Sequence, residues 1–145
     1  MKINPPVQGL ERFVEAQDQV YDSVCKELAA GEKTSHWMWF IFPQLKALGR
    51  SPMAKYYGIE SQDEARAYFQ HPVLGKRLVE CVHFLLKQSN VDVFKIFGSP
   101  DDLKFRSCMT LFNRVVPSEP VFKEALKRYY QGKPDESTLK LLELC

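Results

Sequence analysis

The sequence lacks the short motifs that identify the commonest classes of enzyme. It contains no glycine-rich phosphate loop, no GxSxG nucleophile elbow and no HExxH zinc motif. No pair of acidic residues falls on the apolar stripe of a predicted helix, so a general acid and a general base cannot be assigned from the residues. These absences leave open whether the protein is an enzyme.

Cysteine and histidine are too few and too scattered to predict a metal site. The four cysteines form no CxxC pair, and none of the three histidines lies at metal-ligand spacing. The N-terminus carries no signal peptide. We therefore expect free thiols in a reducing cytoplasm, and the sequence predicts no cofactor.

Charge blocks and long apolar runs are also missing. The formal net charge is +2 and there is no basic arm, so no nucleic-acid partner is predicted. The apolar run at 37–42 is far shorter than the roughly 20 residues that cross a bilayer, so no membrane partner is predicted either. The length of 145 residues predicts a single domain, 1–145, with an irregular lead-in at 1–9, and the hydrophobic fraction of 45% is ordinary for a globular protein.

The most unusual stretch that is present runs from Lys33 to Gln44, with the sequence KTSHWMWFIFPQ. Its six consecutive apolar residues leave a helix no polar face, which predicts a helix buried on all sides. Ser35 is a good N-cap for this helix. Pro43 ends it, because the residue before a proline is disfavoured in the helical region. We therefore predict a short, buried helix rich in Trp and Phe at the centre of the core.

Helical periodicity accounts for the rest of the chain. From Leu10 the apolar residues recur at steps of three and four, and Gly31 ends that helix. No segment shows the sustained alternation of a strand. The further predicted helix starts are Ser51, Ser61, Pro72, Asn90 or Asp92, Ser99, Ser118 and Asp135. The sequence thus predicts a compact, all-α, single-domain bundle of about eight helices, several of them short.

The polar residues at both ends of the central stretch are the first candidates for a site. Lys33, Ser35 and His36 precede the apolar run, and Gln44 follows it. The indole N–H groups of Trp37 and Trp39 need partners if they are buried. His36 is the candidate catalytic acid or base, because the pKa of histidine lies nearest neutrality. The alternative is structural: Ser35 caps the helix, His36 is a hydrogen-bonded histidine and the tryptophans belong to the core.

Polar residues elsewhere add to the candidate ligand-binding set. Gln17 interrupts the apolar stripe of the first helix, so its amide either braces another segment or faces a pocket. Arg50 precedes a predicted helix start, where it either helps to bind an anion or is simply solvated. Lys104 and Thr110 belong to a polar row that either binds an anionic group or forms a solvated helix face.

Several motifs together resemble the domain-of-unknown-function family 1810. Its bacterial members are often automatically labelled "calpastatin", a label that nothing in this sequence supports. The resemblance covers nearly the whole chain and rests on RFxxAQ at 12–17, SHWMWFIFPQ at 35–44, LGxS at 48–51, HPxLGxRL at 71–78, and IFG, DxxK and MTLF within 96–112. It implies a compact, mostly α-helical cytosolic domain and no established activity.

The resemblance also bears on the candidate residues. The family motif includes Gln17, Ser35, His36, Trp39, Gln44, Lys104 and Thr110. The chain departs from the family at Ala47, where glycine is usual, and at Cys108, where serine is usual. Cys108 puts in doubt any role for a hydroxyl group at that position.

Three hypotheses follow for the function. The first is a pocket for a nucleotide-like or other anionic metabolite, with or without catalysis, in which the candidate side chains converge in one cleft. The second is a protein–protein interaction module without catalysis, which requires an exposed aromatic and basic patch. The third is that the motif residues only determine the fold, and that function depends on an unknown partner.

Overall fold

The structure is a computed structural model that describes residues 9–88 and 92–143. Within these ranges the chain forms nine α-helices and one 3₁₀ turn, with no strand longer than an isolated bridge. The helices are α1 Glu11–Ala30, α2 Met38–Ile41, α3 Pro52–Tyr56, α4 Gln62–Gln70, α5 Leu74–Leu86, α6 Val93–Phe97, α7 Asp101–Val115, α8 Pro120–Tyr130 and α9 Glu136–Glu143, and the 3₁₀ turn is Lys46–Leu48. The predicted compact all-α fold is confirmed.

The longest helix, α1, follows the predicted apolar stripe. It begins after Leu10, buries Phe13, Val24 and Leu28, and packs on α5. Gly31 ends it in the left-handed region, with a φ of 74° that a residue without a Cβ adopts readily. The first helix and its end are therefore as the sequence predicts.

The apolar run at 37–42 is buried except for the partly exposed Trp39, so it is not buried on all sides as predicted, and its helix starts later than predicted. Trp37, not Ser35, occupies the N-cap position of α2, and no side chain caps the helix. Ser35 instead hydrogen-bonds the carboxylate of Glu27, so the predicted cap is wrong. Phe42 follows α2 and lies in the core with 1% exposure.

An aromatic cluster joins this stretch to α6 and α7. The ring centroid of Phe42 lies 4.8 Å from that of Phe105 and 6.0 Å from that of Phe97, in edge-on geometry. The ring centroid of Trp37 lies 6.2 Å from that of Phe42 and 6.4 Å from that of Phe97. Edge-on aromatic pairs add about 0.5–1.5 kcal/mol each beyond their buried area. The predicted Trp/Phe-rich centre of the core is confirmed.

Two further predicted helix starts differ in the structure. Pro72 does not start α5; Leu74 does, and the Nδ1 atom of His71 accepts hydrogen bonds from the N–H groups of Val73 and Leu74 at 3.1 and 3.3 Å. Ser99 does not cap α7, whose N-cap position is Pro100 without a side-chain hydrogen bond.

Other predicted helix starts are confirmed. Ser51, Ser61 and Asp135 each accept a hydrogen bond from the first turn of the following helix. Asp92 caps α6 by accepting from the N–H of Phe94 at 3.0 Å. Asn90 lies outside the described residues.

Helix α7 is buried on more sides than its sequence suggests. It contacts α4, α6, α8 and α9, so the predicted apolar arc and part of the predicted polar row are both covered. No helix in the described ranges is long and apolar enough to span a membrane. The arrangement leaves the N-terminal turn of α7 beside α9 and the 3₁₀ turn, where the candidate site lies.

Candidate functional site

A cleft of about 370 Å³ opens between the 3₁₀ turn, α3, the first turns of α7 and the start of α9. Leu48, Ala54 and Leu103 contribute apolar wall, and the Leu103 side chain is 53% exposed. The polar side chains that line the cleft include Gln44, Arg50, Lys104, Ser107, Asp135 and Ser137. The volume and the mixed lining are typical of a small-molecule site, for which roughly 300–1,000 Å³ is usual.

A narrow recess adjoins this cleft. Gln44, Ala54 and Lys104 line both spaces, and Trp39 and Tyr57 line the recess alone. The recess is small, at about 10 Å³. Through it the partly exposed Trp39 side chain borders the cleft.

The charged groups of the cleft favour an anion. Arg50 is exposed and makes no hydrogen bond or ion pair with any described residue. The Nζ atom of Lys104 lies 3.8 Å from the carboxylate of Asp101, which is long for an ion pair. The carboxylate of Asp135 is engaged, because it accepts hydrogen bonds from the N–H and Oγ1 of Thr138 at 3.0 and 2.6 Å. The two cations that line the cleft therefore retain donors for a ligand.

The backbone around Gln44 is fixed, whereas its side chain is not. The N–H of Ile59 donates to the carbonyl of Gln44 at 2.9 Å, and the N–H of Lys46 donates to the carbonyl of Ile59 at 2.8 Å. These bonds form the parallel bridge between Leu45 and Ile59. The side-chain amide of Gln44 makes no hydrogen bond with a described residue. The amide is thus presented to the cleft and the recess from a rigid segment.

Arg50 is positioned by the start of α3. Ser51 caps that helix by accepting from the N–H of Ala54 at 3.1 Å, and Pro52 takes the first helical position, as predicted. The α3 helix has only five residues. At this end of the cleft the positive charge therefore comes from the Arg50 side chain and not from the weak dipole of α3.

Asp101 links two of the predicted lysines. Its Oδ2 atom lies 3.0 Å from the Nζ of Lys33, and its Oδ1 atom faces Lys104. The Lys33 side chain is only 8% exposed, and its ammonium also lies 5.2 Å from the ring centroid of Trp37. Lys33 does not line the cleft. It forms the shorter ion pair with Asp101, and Lys104 makes the longer contact with the same carboxylate.

Ser35 belongs to a different cluster, centred on Glu27. The Glu27 carboxylate accepts hydrogen bonds from the N–H of Thr34 at 2.8 Å, the N–H and hydroxyl of Ser35 at 3.1 and 2.6 Å, and the indole N–H of Trp37 at 2.9 Å. Burial raises the pKa of Glu27, but these hydrogen bonds outweigh burial and lower it to about 2. The cluster fixes the loop that leads into α2.

Gln17 braces the centre of the core. Its Nε2 atom donates to the carbonyl of Phe40 at 2.7 Å and to the hydroxyl of Tyr68 at 3.0 Å, and its Oε1 atom accepts from Arg77 at 3.3 Å. The residue is 1% exposed. Gln17 therefore braces other segments and is not part of the lining of the cleft.

Thr110 is likewise engaged with the protein. Its hydroxyl donates to the carbonyl of Arg106 at 2.8 Å and accepts from the N–H of Asp135 at 2.9 Å. It is 3% exposed and does not line the cleft. Thr110 therefore anchors the start of α9, which carries Asp135 and Ser137 to the rim of the cleft.

His36 lies outside the cleft and the recess. It is exposed and makes no hydrogen bond or ion pair with a described residue. Neither the cleft nor the recess includes it in its lining. The catalytic role of His36 stays a prediction.

The described residues contain no group of three or more His, Cys, Asp or Glu side chains that could hold a metal ion. Burial raises the pKa of the Cys81 thiol to about 12 and raises that of Cys108 as well. Both thiols are buried and therefore poor nucleophiles. Cys145 lies outside the described residues.

Of the predicted site residues, Trp39, Gln44, Arg50 and Lys104 are brought together. The remaining ones, which are Gln17, Lys33, Ser35, His36 and Thr110, do not line the cleft or the recess. Sequence reasoning missed Glu27 and Asp101, whose carboxylates organise the surroundings of the site. The acidic first turn of α7 was visible in the sequence, but the ion pair with Lys33 was not.

The comparisons with known proteins agree on the family and the fold. The sequence model of the family described as "Protein of unknown function (DUF1810)" matches residues 7–142. No curated protein matches the chain. A solved structure that is similar is that of the conserved hypothetical protein Rv1873 from Mycobacterium tuberculosis, with 50% identity, a TM-score of 0.92, and coverage of 94% of this chain and 97% of that one. The resemblance seen in the sequence is confirmed, and neither description names an activity.

Proposed function

We propose that this chain, which belongs to the DUF1810 family, binds a small anionic ligand in the cleft between α3, α7 and α9. The ligand has an anionic group and a planar or apolar body, as a nucleotide or a similar metabolite has. The observation that carries the proposal is that Gln44, Arg50 and Lys104 line one cleft with polar groups that the protein itself leaves weakly bonded or unbonded.

Weak bonding of these groups is what a ligand site requires. Hydrogen bonds to charged groups contribute about 1.5–3 kcal/mol each when they form. Arg50 makes no such bond with a described residue, and Lys104 gives up only a contact of 3.8 Å. An anion that enters the cleft therefore gains the interaction of both cations without breaking a strong protein contact.

The apolar wall of the cleft contacts the uncharged part of the ligand. Leu48, Ala54, Pro100 and Leu103 offer a surface on which a planar or aliphatic group loses water. Burial of apolar area contributes roughly 25 cal/mol per Å². A ligand with both an anionic group and a planar or apolar body thus binds more tightly than a simple anion.

Thermal melting against a panel of compounds tests the proposal. The panel contains nucleoside mono- and diphosphates, NAD, ADP-ribose, sugar phosphates and small dicarboxylates. A compound at about a hundred times its dissociation constant adds about 2.7 kcal/mol of stability, which for a chain of this size raises the melting temperature by roughly 8 °C.

Two cleft variants and one matched control make the test specific. Arg50→Gln and Lys104→Gln each remove one cation from the cleft, and we expect each to weaken binding at least about tenfold. Lys123→Gln makes the same change on an exposed lysine in α8 and leaves binding unchanged. The proposal fails if no compound stabilises the protein, or if the cleft variants respond as the wild type does.

His36→Ala belongs in the same screen. The cleft proposal expects full stabilisation of this variant, because His36 does not line the cleft. Loss of the ligand response in His36→Ala alone would contradict the cleft and would support the site predicted around His36 from the sequence.

A second candidate function is the binding of a protein partner. Met53 and Tyr56, three residues apart in α3, are 42% and 59% exposed, and the exposed Lys55 lies between them in sequence. Tyr and Met side chains are enriched in partner interfaces. Analytical ultracentrifugation and pull-down with wild type and Tyr56→Ser test this candidate, which requires a complex that the variant loses.

A further inference from the structure

In the lining of the recess beside the cleft, two polar groups make no hydrogen bond with a described residue, and a third, Lys104, has only the contact of 3.8 Å with Asp101. This lining includes Trp39, Gln44 and Lys104 together with Met38 and Phe42. Neither the indole N–H of Trp39 nor the amide of Gln44 makes a hydrogen bond with a described residue. No buried side-chain nitrogen or oxygen in the described residues is unpaired, so these two groups remain reachable from outside.

The contrast with Trp37 shows that the free indole is specific to Trp39. The indole N–H of Trp37 donates to the Glu27 carboxylate at 2.9 Å, as expected for a fully buried tryptophan. Trp39 lies two residues further on in the same stretch, and its indole N–H has no acceptor among the described residues. The protein thus supplies an acceptor for the indole of Trp37, whereas the Trp39 side chain lines the recess together with Gln44 and Lys104.

The size of the recess limits what can enter. A space of about 10 Å³ corresponds to roughly one water-sized sphere. It admits one oxygen atom and excludes a ring. The planar part of a ligand must therefore remain in the larger cleft.

The charge at the recess selects an anionic oxygen. Lys104, the amide of Gln44 and the indole of Trp39 can each donate a hydrogen bond. Lys104 also adds a positive charge, which the carboxylate of Asp101 at 3.8 Å only partly offsets. Lys33 already pairs with Asp101 at 3.0 Å, so an ion that attracts Lys104 does not leave this carboxylate without a cation. Charge-assisted hydrogen bonds to a carboxylate or phosphate oxygen are about twice as strong as neutral ones.

We infer that the recess binds one oxygen of the carboxylate or phosphate group of the ligand, held by donors from Lys104, Gln44 and Trp39. This inference rests on the proposed function and adds an orientation to it. The anionic group enters the recess, and the body of the ligand extends along the cleft towards Leu103 and the start of α9.

The two indole N–H resonances of the protein provide a direct assay. The chain has two tryptophans, so a ¹⁵N-labelled sample gives two indole signals, which Trp39→Phe assigns. Sodium phosphate and sodium acetate are titrated separately, with sodium chloride at matched ionic strength. We expect the Trp39 signal to move downfield along a saturable curve with at least one oxyanion, while the Trp37 signal stays in place.

Lys104→Met is the decisive variant, and Lys95→Met, at an exposed position in α6, is its matched control. The first should raise the apparent dissociation constant at least about tenfold, and the second should leave it unchanged. Tighter binding of acetate identifies a carboxylate subsite, and tighter binding of phosphate identifies a phosphate subsite.

Three outcomes overturn the inference. They are no saturable movement of the Trp39 signal, equal movement with chloride, and unchanged binding in Lys104→Met. The proposed function is judged separately. If a panel compound needs Arg50 for binding but does not move the Trp39 signal, the cleft is a binding site and the inference about the recess is wrong.

Discussion

Replacement of Gln17 by leucine tests how the centre of the core is held. Gln17→Leu keeps a similar volume but removes two buried hydrogen bonds, to the carbonyl of Phe40 and the hydroxyl of Tyr68, at 2.7 and 3.0 Å. It also removes the bond from Arg77 at 3.3 Å, but Arg77 keeps its ion pair with Asp18. The Phe40 carbonyl then retains only the Tyr68 hydroxyl, at 3.5 Å. Two lost bonds at about 1 kcal/mol each and a poorly satisfied buried carbonyl at about 1–3 kcal/mol, less some gain from apolar burial, give a net loss of about 3 kcal/mol.

Urea unfolding at neutral pH measures this loss, which corresponds to a fall in melting temperature of roughly 9 °C. Gln19→Leu is the matched control, because Gln19 is exposed on the same helix and surface changes stay within about 0.5 kcal/mol. Ligand binding in Gln17→Leu should equal that of the wild type, since Gln17 does not line the cleft. Equal stability of the two variants, or lost ligand binding in Gln17→Leu, would refute the assignment of Gln17 as a brace.

Three further predictions concern single groups. The pKa of Glu27 is about 2 in the folded protein, against an ordinary value of 4.5. Its contribution to stability is therefore present above pH 4.5 and is lost as the pH falls towards 2. Glu27→Gln should lower the stability at pH 7 and flatten this acid dependence, and urea unfolding at several pH values measures both effects. Gly75→Ala should lower the melting temperature even though alanine favours helices, because a Cβ atom at Gly75 would lie 1.9 Å from the carbonyl oxygen of Phe69. Thr110→Val should cost about 1–2 kcal/mol and increase amide exchange at the start of α9, because the N–H of Asp135 loses its acceptor.

Matched controls exist for two of these changes. Glu32→Gln alters an exposed carboxylate two residues beyond α1, and Thr34→Val alters an exposed hydroxyl that makes no hydrogen bond with a described residue. An acid dependence in Glu27→Gln equal to that in Glu32→Gln would contradict the cause assigned to the low pKa. Equal stability of the two threonine variants would contradict the anchoring role of Thr110.

The helices were predictable because their signals are local. The stripe from Leu10, its end at Gly31 and the cap at Ser51 depend only on spacing and on residues within one turn. The buried run at 37–42 was predictable because it offers no polar face. The late start of α2 was not, because Ser35 bonds to Glu27, a carboxylate eight residues earlier that only the folded loop brings within reach.

The sequence predicted several residues of the candidate site, but it did not predict where in the fold they meet. Gln44, Arg50 and Lys104 were each singled out, but their meeting in one cleft depends on how α7 packs beside the 3₁₀ turn and α3. Asp101 could not be assigned a role from the sequence, because its partner Lys33 lies in a distant segment. Gln17 had two interpretations, and only the positions of Phe40 and Tyr68 decide between them.

A crystal structure of the protein with the panel compound that stabilises it most tests the central claim most directly. The claim predicts density for the compound in the cleft, with its anionic group within hydrogen-bond distance of Lys104 and its body against Leu48 or Leu103. Density beside His36, on the exposed face of α3, or anywhere else with the cleft empty would contradict it.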